Sequence, residues 1–535
     1  MTIEVPTLGA ARLRRGLARV AALRAQDPRA ALAEIHRIQD TGGTGLDLAR
    51  LEAALLLDLG CGTFAAAVAG RAGAQHGRSI ELELLQLRGH MAAFARKQAI
   101  PLVTALAART DLDRAARHEI ARAAHELGLF EIARTGYAVL HADDPDDAAV
   151  HVNLGHIHQK SGEMAEAEAC FRRALAINPM SGHGIRLLAY VRRQHDAREI
   201  ADLVARALPQ LAPDGEQAAA AHFALGKALE DVRDYAGAFE QFASGCAIMR
   251  GLMPYTHDAS ARAFALTADF FRDRAVAAAQ PGGAPAPLFI VGLPRTGSTL
   301  LDRMLGCHAD VRSMGELGNF KEAMKVATGY AGGPGFHEHF YAQRDRPVDV
   351  AAIGHLYRTT AAPDDFAGAW FTDKYHMNFL DLGLIAEALP EARFIHTVRD
   401  PLDTVLANYK QMFSLGFHHF SYDLEEAALY YLSYRALMDH WQQRLPGRIM
   451  TVAYRDLVSA PEATMRGVLS CLGLEWDPAC LAPERNTAPV DTASLAQVRQ
   501  PIYTSALDHA ARYGDALAPA RAVLAAAGLV GGREG

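Results

Sequence analysis

The chain has 535 residues, half of them hydrophobic and 21% charged, with a formal net charge of −7. That length exceeds what a single hydrophobic core supports, so two or more domains are expected. The acidic balance argues against a nucleic-acid binder as a whole, while a local basic cleft stays open. Six scattered cysteines (Cys61, Cys170, Cys246, Cys307, Cys471 and Cys480) form no C-x-x-C pair and have no histidine at ligand spacing, which reads as thiols in a reducing compartment and not as a disulfide frame or a zinc site. Arg12, Arg14 and Arg15 are not followed by an apolar run, so no secretory signal is expected. Leu51 to Gly70 is interrupted by Glu52, Asp58 and the Gly60-Cys61-Gly62 turn and reads as a helical hairpin, not a membrane span. The expected location is cytoplasmic.

The first half is helical and repetitive. Asn153-Leu154-Gly155, Gly162, Ala167, Phe171, Ala174 and Pro179 recur 34 residues earlier as Ala121, Gly128, Ala133, Tyr137, Leu140 and Pro145. Small, aromatic and proline positions at that period are the tetratricopeptide pattern, two packed helices and a stop. Leu225-Gly226, Ala238 and Phe242 begin a further unit 71 residues beyond Gly155, so an irregular helix pair with an inserted turn is expected over residues 181–213. Before residue 110 the chain reads as degenerate repeats or a cap. Stacks of this kind present a concave surface to a peptide or protein. Ala277-Ala278-Ala279-Gln280-Pro281-Gly282-Gly283-Ala284-Pro285-Ala286-Pro287 then breaks all periodicity, as a linker does.

Beyond the linker, short apolar runs alternate with helical segments. Strands are expected at Leu288–Val291, Ala369–Thr372, Arg393–Val398 and Arg448–Val452, with helices at Asp381–Leu389, Leu402–Phe413 and Ala463–Leu472. This alternation indicates a parallel sheet covered on both faces, with ligands at the carboxyl ends of its strands. Three such ends carry charge: the turn after Val291, Asp373-Lys374, and Arg399-Asp400, which predicts one shared pocket.

Gly292 to Thr299 fits the phosphate-loop spacing G-x-x-x-x-G-x-[ST], but Ser298 stands where that motif requires lysine. The loop can still offer backbone amides and a helix N-terminus to an anion. It lacks the lysine that reaches the β/γ-phosphates of ATP or GTP and has Arg295 inside the loop instead. This suits a nucleotide with one 5′-phosphate and a less charged group beyond it, an activated sulfate donor.

Two segments carry a resemblance. Pro294-Arg295-Thr296-Gly297-Ser298-Thr299-Leu300 resembles the loop with which the sulfotransferase family binds a 5′-phosphosulfate, and Phe394-Ile395-His396-Thr397-Val398-Arg399-Asp400-Pro401 resembles its 3′-phosphate segment. With the repeats, the whole is similar to the bacterial tetratricopeptide-containing branch, itself similar to the protein-tyrosine sulfotransferases. The resemblance implies a multidomain chain: an all-α tetratricopeptide-like solenoid (1–275), a linker (276–287), and an α/β P-loop-type three-layer sulfotransferase domain with a parallel sheet (288–535). It implies 3′-phosphoadenosine-5′-phosphosulfate (PAPS) as co-substrate, no metal, and a protein or peptide acceptor held by the repeats.

The resemblance also assigns residues. Arg295, Thr296, Gly297, Ser298, Thr299 and Leu300 bind the donor, together with Arg399, Tyr454, Ser494 and Arg499. Glu316, about twenty residues after Arg295, takes the acceptor proton, a role suited to a partly buried carboxylate. Lys374 stabilises the bridging oxygen, with Arg295 as a third catalytic group. His308 and His376 are rival bases. Two departures stand out: Ala407 where the family has a serine in the 3′-phosphate site, with Asn408 or Arg499 as candidate substitutes, and Asp491 in a segment that is usually basic. Carbohydrates and small phenols are alternative acceptors. A phosphotransferase, which would need magnesium, and a non-catalytic repeat adaptor are the alternative functions.

Overall fold

A computed structural model describes residues 10–41, 44–276, 280, 282–330, 335–344, 346–416, 418–486 and 500–530. The chain divides into two compact units, one of Met1–Leu140 with Leu317–Ala362, the other of His141–Glu316 with Pro363–Gly535. Compactness therefore follows a different line from the linker at 276–287, because the helices from 148 to 270 share a unit with the sheet.

The first unit is built of helical hairpins. Leu46–Asp58 and Gly62–His76 form the hairpin expected at Leu51 to Gly70, turning at Gly60 with φ +69. Gly62–His76 crosses Ile80–Ala92 at glycines: a Cβ on Gly89 would lie 2.5 Å from Ala66 N, and one on Gly62 would lie 2.6 Å from Gly89 O. Only backbone fits there. Arg114–Glu126 and Phe130–Asp143 follow, the first capped by the Asp113 carboxylate accepting from Ala116 N. Residues 317–362 add the helices Asn319–Thr328, Phe336–Tyr341 and Val350–Ala361. Among the described residues no helix is long and apolar enough to cross a membrane.

The second unit opens with the repeat helices Ala148–Ser161 and Met164–Ile177, the first capped by Asp147 and stopped by Gly162 at φ +89. Gly155 faces the fully buried Phe171 so closely that a Cβ would lie 2.4 Å from the ring. The same arrangement recurs in Glu216–Asp231 and Tyr235–Leu252, where a Cβ on Gly226 would lie 2.8 Å from Phe242. Between them stands the irregular pair expected over 181–213, Gly182–Val191 and Arg198–Ala207 with a short 3-10 turn, Leu208–Gln210.

Five parallel strands form the sheet: β1 Ala286–Val291, β2 Val311–Arg312, β3 Trp370–Asp373, β4 Arg393–Val398 and β5 Ile449–Ala453, in the order β2-β3-β1-β4-β5. β1 begins within the expected linker, and β2 has too few residues to leave a sequence signal. Alternate residues of β1 face opposite layers. Leu288 and Ile290 join a core with Leu301 and Met304 of Ser298–Leu305 and with Met465 and Val468 of Pro461–Cys471. Phe289 turns the other way, 5.9 Å from Phe394. Helices Leu382–Ala388 and Leu424–Arg444 lie in the other layer, where Trp441 Nε1 donates to Phe379 O at 2.8 Å and packs against Phe271, just past the helix His257–Phe270. Arg274 grips Glu387 with two bonds of 2.6 and 2.7 Å, and Arg250 donates to Glu426 at 2.7 Å. These contacts explain why the later repeat helices belong to the unit of the sheet.

Two outcomes are expected. Gly155→Ala overpacks the Phe171 contact and should cost about 1–3 kcal/mol, with Phe171→Leu in the same chain recovering part of the loss in a thermal melt. His396 on β4 is buried with its Nε2 2.5 Å from Tyr434 Oη, and burial pushes its imidazole from 6.5 down to about 4. The unfolded chain therefore binds more protons than the folded one between those values, so this residue's share of stability is full above pH 6.5 and falls as the pH drops toward 4. Melting temperatures measured across that window should decline less steeply in His396→Gln.

Candidate active site

Connections after β1 run toward β2 and β3, whereas those after β4 run toward β5, so the adjacent carboxyl ends of β1 and β4 form the switch point of the sheet. The Gly292–Ser298 loop leaves β1 there, and Arg399-Asp400-Pro401 leaves β4. At Gly292 (φ +156) a Cβ would lie 2.5 Å from Thr397 Oγ1, so the loop presses directly on β4. Arg295 (φ +72) and Gly297 (φ +97) are left-handed, and a Cβ on Gly297 would lie 2.6 Å from the Tyr454 ring. The helix Ser298–Leu305 starts without a side-chain cap, which leaves its first amides for an anion or water.

Thr296 does something other than expected. Its buried hydroxyl donates to Leu293 O at 2.8 Å and pairs with Thr397 Oγ1 at 2.8 Å, so the side chain frames the loop and does not face a ligand. Asn408 is committed in the same way. Its amide donates to Pro294 O at 3.0 Å and Thr404 O at 2.9 Å, pinning the loop to the helix Pro401–Tyr409 and leaving no amide donor to replace a hydroxyl at Ala407. Ser494 and Arg499, like Asp491, lie outside the described residues.

The other loop residues share a cavity of about 1500 Å³. Arg295, Gly297, Ser298, Thr299, Leu300, Arg399, Ala407 and Tyr454 all line it. The Arg399 guanidinium lies 4.9 Å from the Tyr454 ring centre and donates to Ala506 O at 2.5 Å and to Arg295 O and Asp403 Oδ2 at 3.3 Å each, while its Nε is buried without a partner. Asp403 in turn accepts from Ala510 N at 2.7 Å, which fixes the arginine's direction. Burial, and then the neighbouring charge of Arg399, pushes the Arg295 guanidinium below its ordinary pKa. Two arginines crowded at one strand-end cleft are relieved by a bound polyanion.

The third strand end behaves differently. Lys374, immediately after β3, is 3% exposed, and its Nζ donates to Glu316 Oε1 at 2.8 Å. Glu316 is 39% exposed and not the partly buried carboxylate expected, because Lys374 meets it from the interior while its other side meets solvent. Neither residue lines the cavity that holds the loop, so the single pocket expected from three strand ends is in fact a cavity at β1 and β4 with an ion pair beside it at β3. His308 is occupied structurally: its Nδ1 accepts from Asp310 N and its Nε2 pairs with Glu475 O, both at 3.1 Å. His376 stands 4.5 Å from the His418 ring with a buried, unpartnered Nε2, and burial followed by the charge of Lys374 pushes it down to about 3.

Several cavity residues were not anticipated. Lys410 lies seven residues after Asp403, on the helix face that Asp403 and Ala407 share, a spacing that could have marked it. Its Nζ donates to Glu230 of the repeat helix Glu216–Asp231. His509 (2.7 Å) and the Tyr513 hydroxyl (2.5 Å) meet the same carboxylate. Burial opposes ionisation of Glu230, but Lys410 and His509 hold it well below the usual carboxylate range. Tyr503, Arg186 and Tyr190 also line the cavity, and nothing in the sequence pattern marked them.

Residues 287–478 match the model of the sulfotransferase family, and residues 148–181 match that of the tetratricopeptide repeat. The chain is 29% identical over 391 residues to an uncharacterized protein of Aquifex aeolicus (strain VF5), covering 71% of this chain and 50% of that one. It is 26% identical over 225 residues to protein-tyrosine sulfotransferase 1 of Danio rerio (40% of this chain, 60% of the relative) and 26% identical over 211 residues to the protein-tyrosine sulfotransferase of Drosophila melanogaster (37% and 40%). The chain thus spans about half the length of the curated relatives it matches. Among solved structures it is similar to the sulfotransferase domain of the Synechococcus PCC 7002 olefin synthase, with 21% identity, 45% of this chain and 96% of that one covered, and a TM-score of 0.30. Sulfotransferase STF9 of Mycobacterium avium gives 15%, 62%, 95% and 0.28. At such scores the fold rests on the strand order itself. The anion loop and its facing arginine fall within the matched stretch, and residues 287–478 belong to the sulfotransferase family, in a chain that also carries a tetratricopeptide repeat.

Proposed function

We propose that this protein transfers a sulfuryl group from PAPS to an acceptor hydroxyl, the acceptor being a tyrosine of a protein or peptide presented with the help of the repeats. The observation that carries this reading is the pair of arginines, Arg295 and Arg399, at one switch point, in a loop without the lysine that nucleoside triphosphates require. Tyrosine as acceptor is supported by the names of the Danio and Drosophila relatives.

On this reading Arg295, the first amides of Ser298–Leu305 and the Ser298 and Thr299 hydroxyls would hold the 5′-phosphosulfate, and Arg399 with Tyr454 the 3′-phosphate end. The donor supplies the sulfuryl group: its bond from sulfur to the bridging oxygen breaks as a bond to the acceptor oxygen forms. The proton of the acceptor hydroxyl passes to Glu316, and Lys374 stabilises the charge left on the bridging oxygen. The Lys374–Glu316 pair is the resting form of this machinery. Lys374 exchanges its carboxylate partner for the donor, and that exchange frees Glu316 for the acceptor.

Two measurements test the assignment. Removal of either Arg295 or Arg399 should weaken binding of the desulfated nucleotide, read by titration calorimetry, by at least about tenfold, the worth of a charged hydrogen bond; unchanged affinity in both alanine variants rejects the site. Glu316→Gln should retain donor binding while turnover falls about a hundredfold or more. A phenol already ionised at the assay pH needs no base, so it should partly restore Glu316→Gln but not Lys374→Ala. Equal rescue of both would move the base to another group, with His376 examined next.

A further inference from the structure

The cations of the cavity are for the most part partnered by protein. Lys227 pairs with Asp231 at 2.5 Å, Lys410 pairs with Glu230, and Arg399 pairs with Asp403 at 3.3 Å. Arg186, on the repeat helix Gly182–Val191, is different. It lines the cavity, yet among the described residues no hydrogen bond or ion pair engages its guanidinium, and its Nε is buried without a partner. A buried donor without an acceptor calls for a specific explanation.

Tyr190 lies one helical turn further on and lines the same cavity. Its ring has the Arg186 guanidinium at 5.9 Å and Lys227 Nζ at 5.8 Å. It is also near enough to Arg295 for the two charges to influence one another. The repeat helix therefore brings a cation and a phenol to the cavity that holds the loop after β1.

We infer that Arg186 and Tyr190 bind an oxyanion of the substrate that occupies the cavity, so that the helix Gly182–Val191 is a wall of the substrate site. The inference rests on reading the cavity as the donor site. It assigns ligand contacts to the repeats beyond any role in docking a protein. The shared chemistry is a phosphate, sulfate or carboxylate group, supplied either by the nucleotide or by an acidic acceptor, and Arg186 meets it with the donors that the protein leaves unused.

The test uses the full chain with Arg186→Ala, Arg186→Lys and Tyr190→Phe, each first shown to melt like the parent without ligand. Calorimetry with adenosine 3′,5′-bisphosphate reads the nucleotide arm, and turnover of a tyrosine peptide flanked by glutamates reads the acceptor arm. A loss of nucleotide affinity of about tenfold or more in Arg186→Ala, partly regained in Arg186→Lys, supports the inference with the nucleotide as source. A comparable rise in the peptide KM, with kcat and nucleotide affinity unchanged, supports it with the acceptor as source. If neither moves, the inference is overturned. Should the parent chain bind no nucleotide at all, it is the donor reading that fails. The thermal shift induced by inorganic pyrophosphate then decides the wall: a shift present in the parent and lost in Arg186→Ala upholds it, and equal shifts overturn it.

Discussion

Parallel pairing of β1 with β4 is the constraint on which the candidate site depends. The register that sets Val291 beside His396 brings Gly292 against Thr397, where only a glycine fits, and the Thr296 and Thr397 hydroxyls then close the loop onto the neighbouring strand. The same pairing carries Arg399, two residues past Thr397, to the carbonyl of Arg295. Like charges are thus held together by backbone geometry, before any ligand is present. Their mutual repulsion is a standing electrostatic demand for an anion, and it is set by the sheet and not by flexible side chains.

The repeat helices near the sheet are part of this frame. Glu230 reaches from a repeat helix to Lys410 at the end of Pro401–Tyr409, the helix whose first turn carries Asp403, which orients Arg399. Such a buried ionic network brings little net stability after desolvation, and its worth lies in fixing where each group stands. A repeat array usually gains stability by stacking alone. Here the later repeats also help to position the strand-end chemistry, and this is consistent with 141–316 and 363–535 forming one compact unit.

Much of this was legible in the residues. The small and aromatic positions at a 34-residue period correspond to real close approaches, Gly155 on Phe171 and Gly226 on Phe242, because a helix crossing tolerates no Cβ there. The buried strands announced themselves as apolar runs, and the departure at Ser298 marked the loop as something other than a nucleoside triphosphate site. β2 was not legible, since two residues carry no periodicity. Spacing placed Thr296 in the loop but could not tell which way its hydroxyl turns, nor that Asn408 spends its amide on Pro294. The Lys374–Glu316 pair was legible as two functional groups and not as an ion pair, because their contact depends on β3 returning beside the segment after β2. Arg186 had no local signature at all, as its meaning comes from a cavity assembled by segments hundreds of residues apart.

One consequence follows from the segment 317–362, which belongs to the unit of the first 140 residues although it is spliced between β2 and β3. The backbone crosses from one unit to the other three times, and Glu316 is the last residue before one of those crossings. No single scission can therefore separate the two bodies, and a fragment beginning after residue 140 would carry an orphaned piece of the other unit inside its own catalytic half. For this chain the natural cassette for dissection or grafting is discontinuous: an excision of 317–362 rejoined by a short turn, made together with removal of the first stretch.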